Sequence, residues 1–300
     1  MDFGIKRKRI TVLLLYMLMT IDSVPQEFDL FDFGKKIEYF PVTEVNSYRW
    51  EGGYFWEKSK TELYEYDDND NLLSVTFQRW KDTVAYNMSK LKFIYDNNYN
   101  IIEAIAFLYN HSLWKKDSRS RYTYGSNNYC REEIHERWID SISVLSLRVQ
   151  YFYDSNNNLI QALTQTWIDS TYINKERALF EYDENNKLNL SQNQIWKESN
   201  WVNKYRIMVY NNKNEKQYNN TKQFWTKSTW SDDMKKIQKY DENERVYEEI
   251  ESFWNDSIWV EESKWIYNYN SNDRITEVFY FSRGTEFWTK KMKIEYIYQK

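Results

Sequence analysis

Residues 153–182, YDSNNNLIQALTQTWIDSTYINKERALFEY, begin and end on a tyrosine and hold one complete unit of the chain. Asp154, Asn156, Asn157 and Asn158 are turn material, because Asx side chains bond the nearby backbone and Asn tolerates a left-handed conformation. From there Leu159, Leu163 and Trp167 are separated by polar Gln161 and Gln165, the even spacing of a strand. Asp169-Ser170 reads as a second, shorter turn, and the chain returns from Thr171 to Tyr182. Helical periodicity is absent. The unit is two strands and two turns.

The unit repeats. Its tyrosine recurs at Tyr66, Tyr95, Tyr124, Tyr153, Tyr182, Tyr210, Tyr240, Tyr269 and Tyr298, at intervals of 28 to 30 residues. Self-similarity at a period of this size marks a repeat architecture. Counting from each tyrosine, the next residue is Asp or Asn in most units, and the third is almost always Asn. The sixth is apolar (Leu72, Ile101, Cys130, Leu159, Leu188, Val246, Ile275), and Trp or Tyr recurs near the fourteenth and nineteenth. Pairing Trp254 with Trp259 across a tight turn sets the register. Leu72 then falls near Phe93 and Leu159 near Phe180, with the Trp columns on that same face.

The expected architecture is all-β: about eighteen strands in ~29-residue hairpin units, forming a long, open, twisted antiparallel meander over residues 37–300. Eight units are full, and a degenerate one carries Trp50 and Trp56. Residues 24–36 read as a cap or linker. Lys290, Lys291, Lys293 and Lys300 would guard a free edge of the last strand. An outer-membrane barrel needs a lipid-facing apolar band ~25 Å tall. Asn189–Ile195 and Glu248–Ser252 are polar on both faces, so the reading is of a protein that is not integral to a membrane.

Aromatic residues make up 19% of the 300-residue chain, and each buried ring removes roughly 150–250 Å² from water, so a packed fold is expected despite the many Asn, Asp and Lys. Lys6-Arg7-Lys8-Arg9 followed by the apolar run Ile10 to Thr20 reads as a signal peptide, cleaved near Ser23. The product would be secreted, at the cell surface or periplasmic. Net charge is −4, and loss of residues 1–23 removes four basic and two acidic side chains. That balance gives no electrostatic footprint for nucleic acid. Cys130 is the lone cysteine, so an intrachain disulfide is impossible, and it reads as a small buried hydrophobe.

The stretches YDDNDNL (66–72), YDSNNNL (153–159) and YDENNKL (182–188) resemble the tyrosine-aspartate repeat, Tyr-Asp-x-x-Gly-x-Leu. That family builds β-hairpins into long, spiralling antiparallel sheets. The chain is also similar to secreted Tyr/Trp/Asn-rich repeat proteins of Bacteroidota. The family's Gly is replaced here by Asp70, Tyr99, Asn128, Asn157, Asn186, Asn214, Glu244 and Asp273, so the turn needs Asn or another geometry. With no toxin or protease module following, the resemblance implies architecture rather than a toxin-shell role.

Chemistry is sparse. His111 and His135 are the only histidines and no nucleophile motif accompanies them, so no catalytic residue is assigned. Asp67-x-Asn69-x-Asn71 and Asp154-x-Asn156-x-Asn158 imitate a calcium loop, yet Gln78 and Gln165 stand where its closing Glu belongs. Neither a metal nor a cofactor is expected. The Trp columns offer rings on which sugars can stack: Trp167, Trp196, Trp201, Trp225, Trp230, Trp254, Trp259 and Trp288. Thr83, Ser141, Ser170 and Ser257 follow Asp in the second turn. They match the Asp-Ser/Thr-apolar O-glycosylation site that the Bacteroidota resemblance implies. The expected function is an exported, non-enzymatic repeat protein binding a polysaccharide or cell-surface protein through its aromatic surface. The alternative is a structural or adhesive spacer with no dedicated ligand site.

Overall fold

A computed structural model describes residues 41–299 apart from Asp140, residues 213–216 and residues 285–286. The expected signal peptide (1–23) and linker (24–36) lie outside the described residues. Nine hairpins follow one another. The first three are β1 (Val42–Glu51) with β2 (Phe55–Tyr66), β3 (Leu72–Lys81) with β4 (Val84–Tyr95), and β5 (Ile101–Asn110) with β6 (Leu113–Tyr124). The next three are β7 (Cys130–Ile139) with β8 (Ile142–Tyr153), β9 (Leu159–Ile168) with β10 (Thr171–Tyr182), and β11 (Leu188–Lys197) with β12 (Asn200–Asn212). The last three are β13 (Gln217–Thr226) with β14 (Thr229–Tyr240), β15 (Val246–Asn255) with β16 (Ile258–Tyr269), and β17 (Ile275–Arg283) with β18 (Trp288–Tyr298).

The sheet closes on itself. Every strand pairs antiparallel with its sequence neighbours, and β18 pairs with β1 from Val42↔Tyr298 to Arg49↔Met292. Tyr48 donates its hydroxyl to Glu295 at 2.6 Å, and the Gln299 amide donates to the Pro41 carbonyl at 3.1 Å across the same seam. The chain is therefore an 18-stranded antiparallel barrel, not an open meander. The last strand has no free edge for Lys290, Lys291 and Lys293 to protect. The stretch before Tyr66 is a regular hairpin, with Trp50 paired to Trp56.

Bulges explain the closure. Each of the nine hairpins holds an extra residue in its second strand, such as Lys175 between Asn174↔Gln165 and Glu176↔Thr164. Nearly every junction between hairpins holds another, such as Ile160, skipped where Phe152↔Gln161 gives way to Tyr153↔Leu159. A bulge bends its strand and raises the local twist. Repeated around the sheet, this coils eighteen strands until the ends meet.

The bulges also reverse parity within each strand. Leu159 and Tyr153 face one way, and beyond Ile160 the even residues Ala162 and Thr164 take over that face, sending Trp167 to the other. The expectation that the Trp columns share a face with the Leu and Phe residues is corrected here. Leu72 with Phe93 and Leu159 with Phe180 do pack together, within two apolar clusters. Their face carries small, fully buried residues at mid-strand: Ala104, Ser120, Val149 and Ser191. The opposite face at similar heights carries Ile105, Arg119, Arg148 and Gln192. In a closed barrel the crowded concave side takes the small residues, so the first face is inner and the Trp face is outer.

The recurrent tyrosine stands on the inner face and serves the backbone. The β9–β10 ladder stops at Leu179↔Gln161, short of Leu159, and the Tyr182 hydroxyl donates to the Leu159 carbonyl at 3.0 Å. Tyr66, Tyr95, Tyr124, Tyr153, Tyr269 and Tyr298 make the same bond to Val42, Leu72, Ile101, Cys130, Val246 and Ile275. The two exceptions flank the one junction without a register shift, β12–β13. There Tyr210 is 54% exposed and Tyr240 turns to the Gln238 side chain.

Seven of the turns that follow these tyrosines hold a left-handed residue where the tyrosine-aspartate repeat has Gly. Asp70, Tyr99, Asn128, Asn157, Asn186, Glu244 and Asp273 have φ between 57° and 64°. The Asp before it holds the turn: Asp154 Oδ1 accepts the Asn156 and Asn158 amides, each at 2.8 Å. At the other rim Asp169-Ser170, Glu198-Ser199 and Lys227-Ser228 have positive φ at both positions, the type I′ geometry that suits twisted hairpins.

Candidate binding surface on the outer face

The residues two places before and after each two-residue turn face each other as a closely spaced pair, and on the outer face these are the aromatics. Trp167–Tyr172, Trp196–Trp201, Trp225–Trp230 and Trp254–Trp259 meet edge to face, with ring centroids 4.7, 4.9, 5.0 and 5.1 Å apart. Trp50–Trp56 and Tyr109–Trp114 continue the series at 4.8 and 4.9 Å. All eight predicted Trp residues lie on this belt near the rim of short turns, and all are half-buried. Trp288 belongs to the same belt, capped by the Lys264 ammonium 4.7 Å from its ring centroid.

A second column runs beside the rings. The Arg148, Arg177 and Arg206 guanidinium carbons stand 4.2, 4.5 and 4.6 Å from the ring centroids of Tyr172, Trp201 and Trp230. Each also donates from Nε to a glutamine on the next strand, at 2.9 Å to Gln165, 2.7 Å to Gln194 and 2.7 Å to Gln223. The glutamines pass the chain on to Asn174, Asn203 and Asp232 at 2.9, 2.7 and 2.7 Å. Arg119, one unit earlier, is occupied by Glu136 and Glu103. Arg148 has Glu132 at 3.7 Å. Among the described residues Arg177 and Arg206 form no ion pair, and burial lowers the pKa of Arg177 below the usual arginine value.

This Arg–Gln–Asn column was open to sequence reading, since Arg119, Arg148, Arg177 and Arg206 stand 29 apart as regularly as the tyrosines. It escapes because the bulges hide which charged positions share a face with the Trp rings.

The other predicted positions separate. Thr83, Ser141, Ser170 and Ser257 are exposed at the short-turn rim, each in a different hairpin. His111 sits in such a turn with φ 47°, whereas His135 is on the inner face. There His135 Nδ1 lies 2.8 Å from Ser120 Oγ and Nε2 lies 3.1 Å from Glu133 Oε1, while Tyr151 donates to Glu133 Oε2 at 2.9 Å. Beside it burial pushes the Cys130 thiol up to about 12. At the opposite rim Thr43, Tyr64, Tyr66, Asp67, Asp68, Asp70 and Gln299 line a recess of about 350 Å³. The Asp67 carboxylate there is held below the usual range by the Asn71 side-chain amide and the turn's own N–H groups. Among the described residues no group of three or more His, Cys, Asp or Glu is placed to hold a metal ion.

No family model and no characterised protein sequence matches the chain. Solved structures do. A porin-like protein from Bacteroides uniformis aligns at 9% identity over 86% of this chain and 98% of its own, with a TM-score of 0.44. A second porin-like protein, from Bacteroides vulgatus, aligns at 8% identity over 87% of this chain and 99% of its own, with a TM-score of 0.27. A protein of unknown function from Bacteroides fragilis aligns at 14% identity over 38% of this chain and 87% of its own, with a TM-score of 0.34.

Proposed function

We propose that the chain is an exported, non-enzymatic barrel that presents its outer aromatic belt to a glycan or another extracellular macromolecule. The continuity of the belt carries this reading. Half-exposed aromatic pairs recur in four consecutive hairpins, from β9–β10 to β15–β16, and edge-to-face packing holds each ring in place before any ligand arrives. A ring already fixed gives up little freedom on stacking. Trp fluorescence titrated across a panel of soluble glycans tests it, with quenching by at least one glycan expected. A flat response to the whole panel would favour the spacer reading, which the packing of ring on ring and of arginine on ring also suits.

Other features support the non-enzymatic part. Ser120, His135 and Glu133 have the residue types of a hydrolytic triad, but Ser120 is 0% exposed. It lies mid-strand, paired on both sides with Ala104 and His135, where amides already committed to the sheet leave no oxyanion donors. The cluster is a closed polar patch of the inner wall, with Glu133 and His135 both buried there.

The outer wall carries Arg119, Arg148, Gln150, Arg177, Gln192 and Arg206 through its middle, which suits a barrel standing clear of hydrocarbon. Detergent phase partition should leave it in the aqueous phase. Recovery in the detergent phase would instead support the membrane-embedded architecture that the name porin-like suggests. Exposed Thr83, Ser141, Ser170 and Ser257 suit O-glycosylation. An intact mass of the exported protein equal to the bare chain from about residue 24 would remove that assignment.

A further inference from the structure

We infer that the outer strip running from Arg148 through Arg177 and Arg206 binds a linear polysaccharide that carries carboxylates, a polyuronic acid. The inference rests on the glycan reading above and names the class of glycan. Two independent features of the strip point to it. The first is charge: Arg177 and Arg206 are half-buried cations whose partners are the amide oxygens of Gln194 and Gln223 and the faces of Trp201 and Trp230. A guanidinium taken partly out of water without an anion is unsatisfied, and the planar fork beyond Nε matches a carboxylate in bidentate geometry. The shift of the Arg177 acidity constant has this same origin in burial.

The second feature is periodicity. Successive arginines are two strands apart, ~9.6 Å at the usual inter-strand spacing. That is the scale of a two-sugar repeat, so acid groups on alternate sugars would meet successive arginines while intervening rings met Trp196–Trp201 and Trp225–Trp230. The amides of Gln194, Asn203 and Gln223 stand between them as hydroxyl partners. The same spacing disfavours nucleic acid: duplex DNA carries one charge per ~1.7 Å, far denser than this row of cations. Neighbouring strips are less suited, because Glu136 and Glu103 already neutralise Arg119.

Affinity of the full-length protein for polygalacturonate, a neutral cello-oligosaccharide, dextran sulfate and single-stranded DNA tests the inference. The comparison variants are Arg177→Gln with Arg206→Gln, and as control Arg79→Gln, an exposed arginine on the inner face. Polygalacturonate should bind best, weaken at least tenfold in the double variant and weaken with added salt, with Arg79→Gln unchanged and melting temperatures alike. Tighter binding of dextran sulfate or DNA than polygalacturonate would overturn it, as would a double variant that binds polygalacturonate like the parent. If the neutral oligosaccharide alone binds, the glycan reading stands and the polyuronate inference falls. If nothing binds, both fall.

Discussion

Replacing Tyr182 by Phe removes one oxygen and leaves the ring. In the folded chain that oxygen donates to the Leu159 carbonyl where the β9–β10 ladder ends, at 3.0 Å. A net hydrogen bond contributes about 1 kcal/mol, and a buried acceptor left without a partner costs roughly 1–3 kcal/mol. Tyr182 is half-buried, so the low end applies and ~1 kcal/mol is expected. For a chain of this size that lowers the melting temperature by roughly 2 °C. The triple variant Tyr95→Phe, Tyr182→Phe, Tyr269→Phe touches three bonds in separate hairpins (2.7, 3.0 and 2.6 Å), and distant sites add, so ~3 kcal/mol and roughly 6 °C are expected. The molecule supplies its own control. Tyr210 belongs to the same sequence column but is exposed and, among the described residues, bonds to the Met208 sulfur at 3.4 Å rather than to a strand carbonyl. Tyr210→Phe should be neutral. Thermal unfolding followed by circular dichroism at a single scan rate reads all of these. A Tyr210→Phe loss equal to that of Tyr182→Phe, or a neutral triple variant, would refute the assignment of the tyrosines to stranded carbonyls.

Closure is open to a direct chemical test. Ser47 and Ile294 are register partners across β1–β18, and cysteines at such a pair can meet the 4.4–6.8 Å Cα separation a disulfide needs; the oxidised double variant should run as a compact monomer on non-reducing gels, whereas an open sheet would give only intermolecular species. Acid should weaken the fold. Asp67 and Asp154 are held below the usual range, Asp67 chiefly by the Asn71 side chain and Asp154 chiefly by the Asn158 backbone amide. A depressed folded value means their contribution is complete above the unfolded value, near ~3.9, and is lost as pH falls through the folded one. Denaturant midpoints should be level at neutral pH and drop below ~4, less steeply in Asp67→Asn/Asp154→Asn; an identical pH profile in that variant would be contrary evidence. Tyr99→Gly should stabilise, because Tyr99 holds φ 61° with its side chain largely exposed. Left-handed strain of ~1–2 kcal/mol is relieved against the greater flexibility of unfolded Gly, for a net gain near 0.5 kcal/mol. A lower melting temperature would mean the Tyr99 ring does more than the turn geometry implies.

Much of the architecture was legible because it repeats. The Tyr and Trp columns gave the hairpins, their register across the short turn and the number of strands, and Trp254 does face Trp259. What stayed hidden is what a bulge does. Ile160 and Lys175 look like ordinary members of alternating strands, yet each is skipped in the pairing. A residue skipped in the pairing changes two things at once: it reverses which face the following residues occupy, and it adds twist. The first error puts Trp167 beside Leu159 instead of behind it, and the second leaves the sheet open. Both mistakes thus have one cause.

That shared cause also bears on function. If strict alternation held, the Trp rings would stand with Leu159 and Phe180 and be consumed by the core. The bulges place the tyrosines inside, where their hydroxyls finish the backbone, and turn the Trp rings out beside Arg148, Arg177 and Arg206. Division of labour between the two aromatic columns is therefore a consequence of one extra residue per strand. It follows that substitutions on the two columns should separate: Trp201→Ala should mainly change what the outer face binds, and Tyr182→Phe mainly how firmly the barrel holds together.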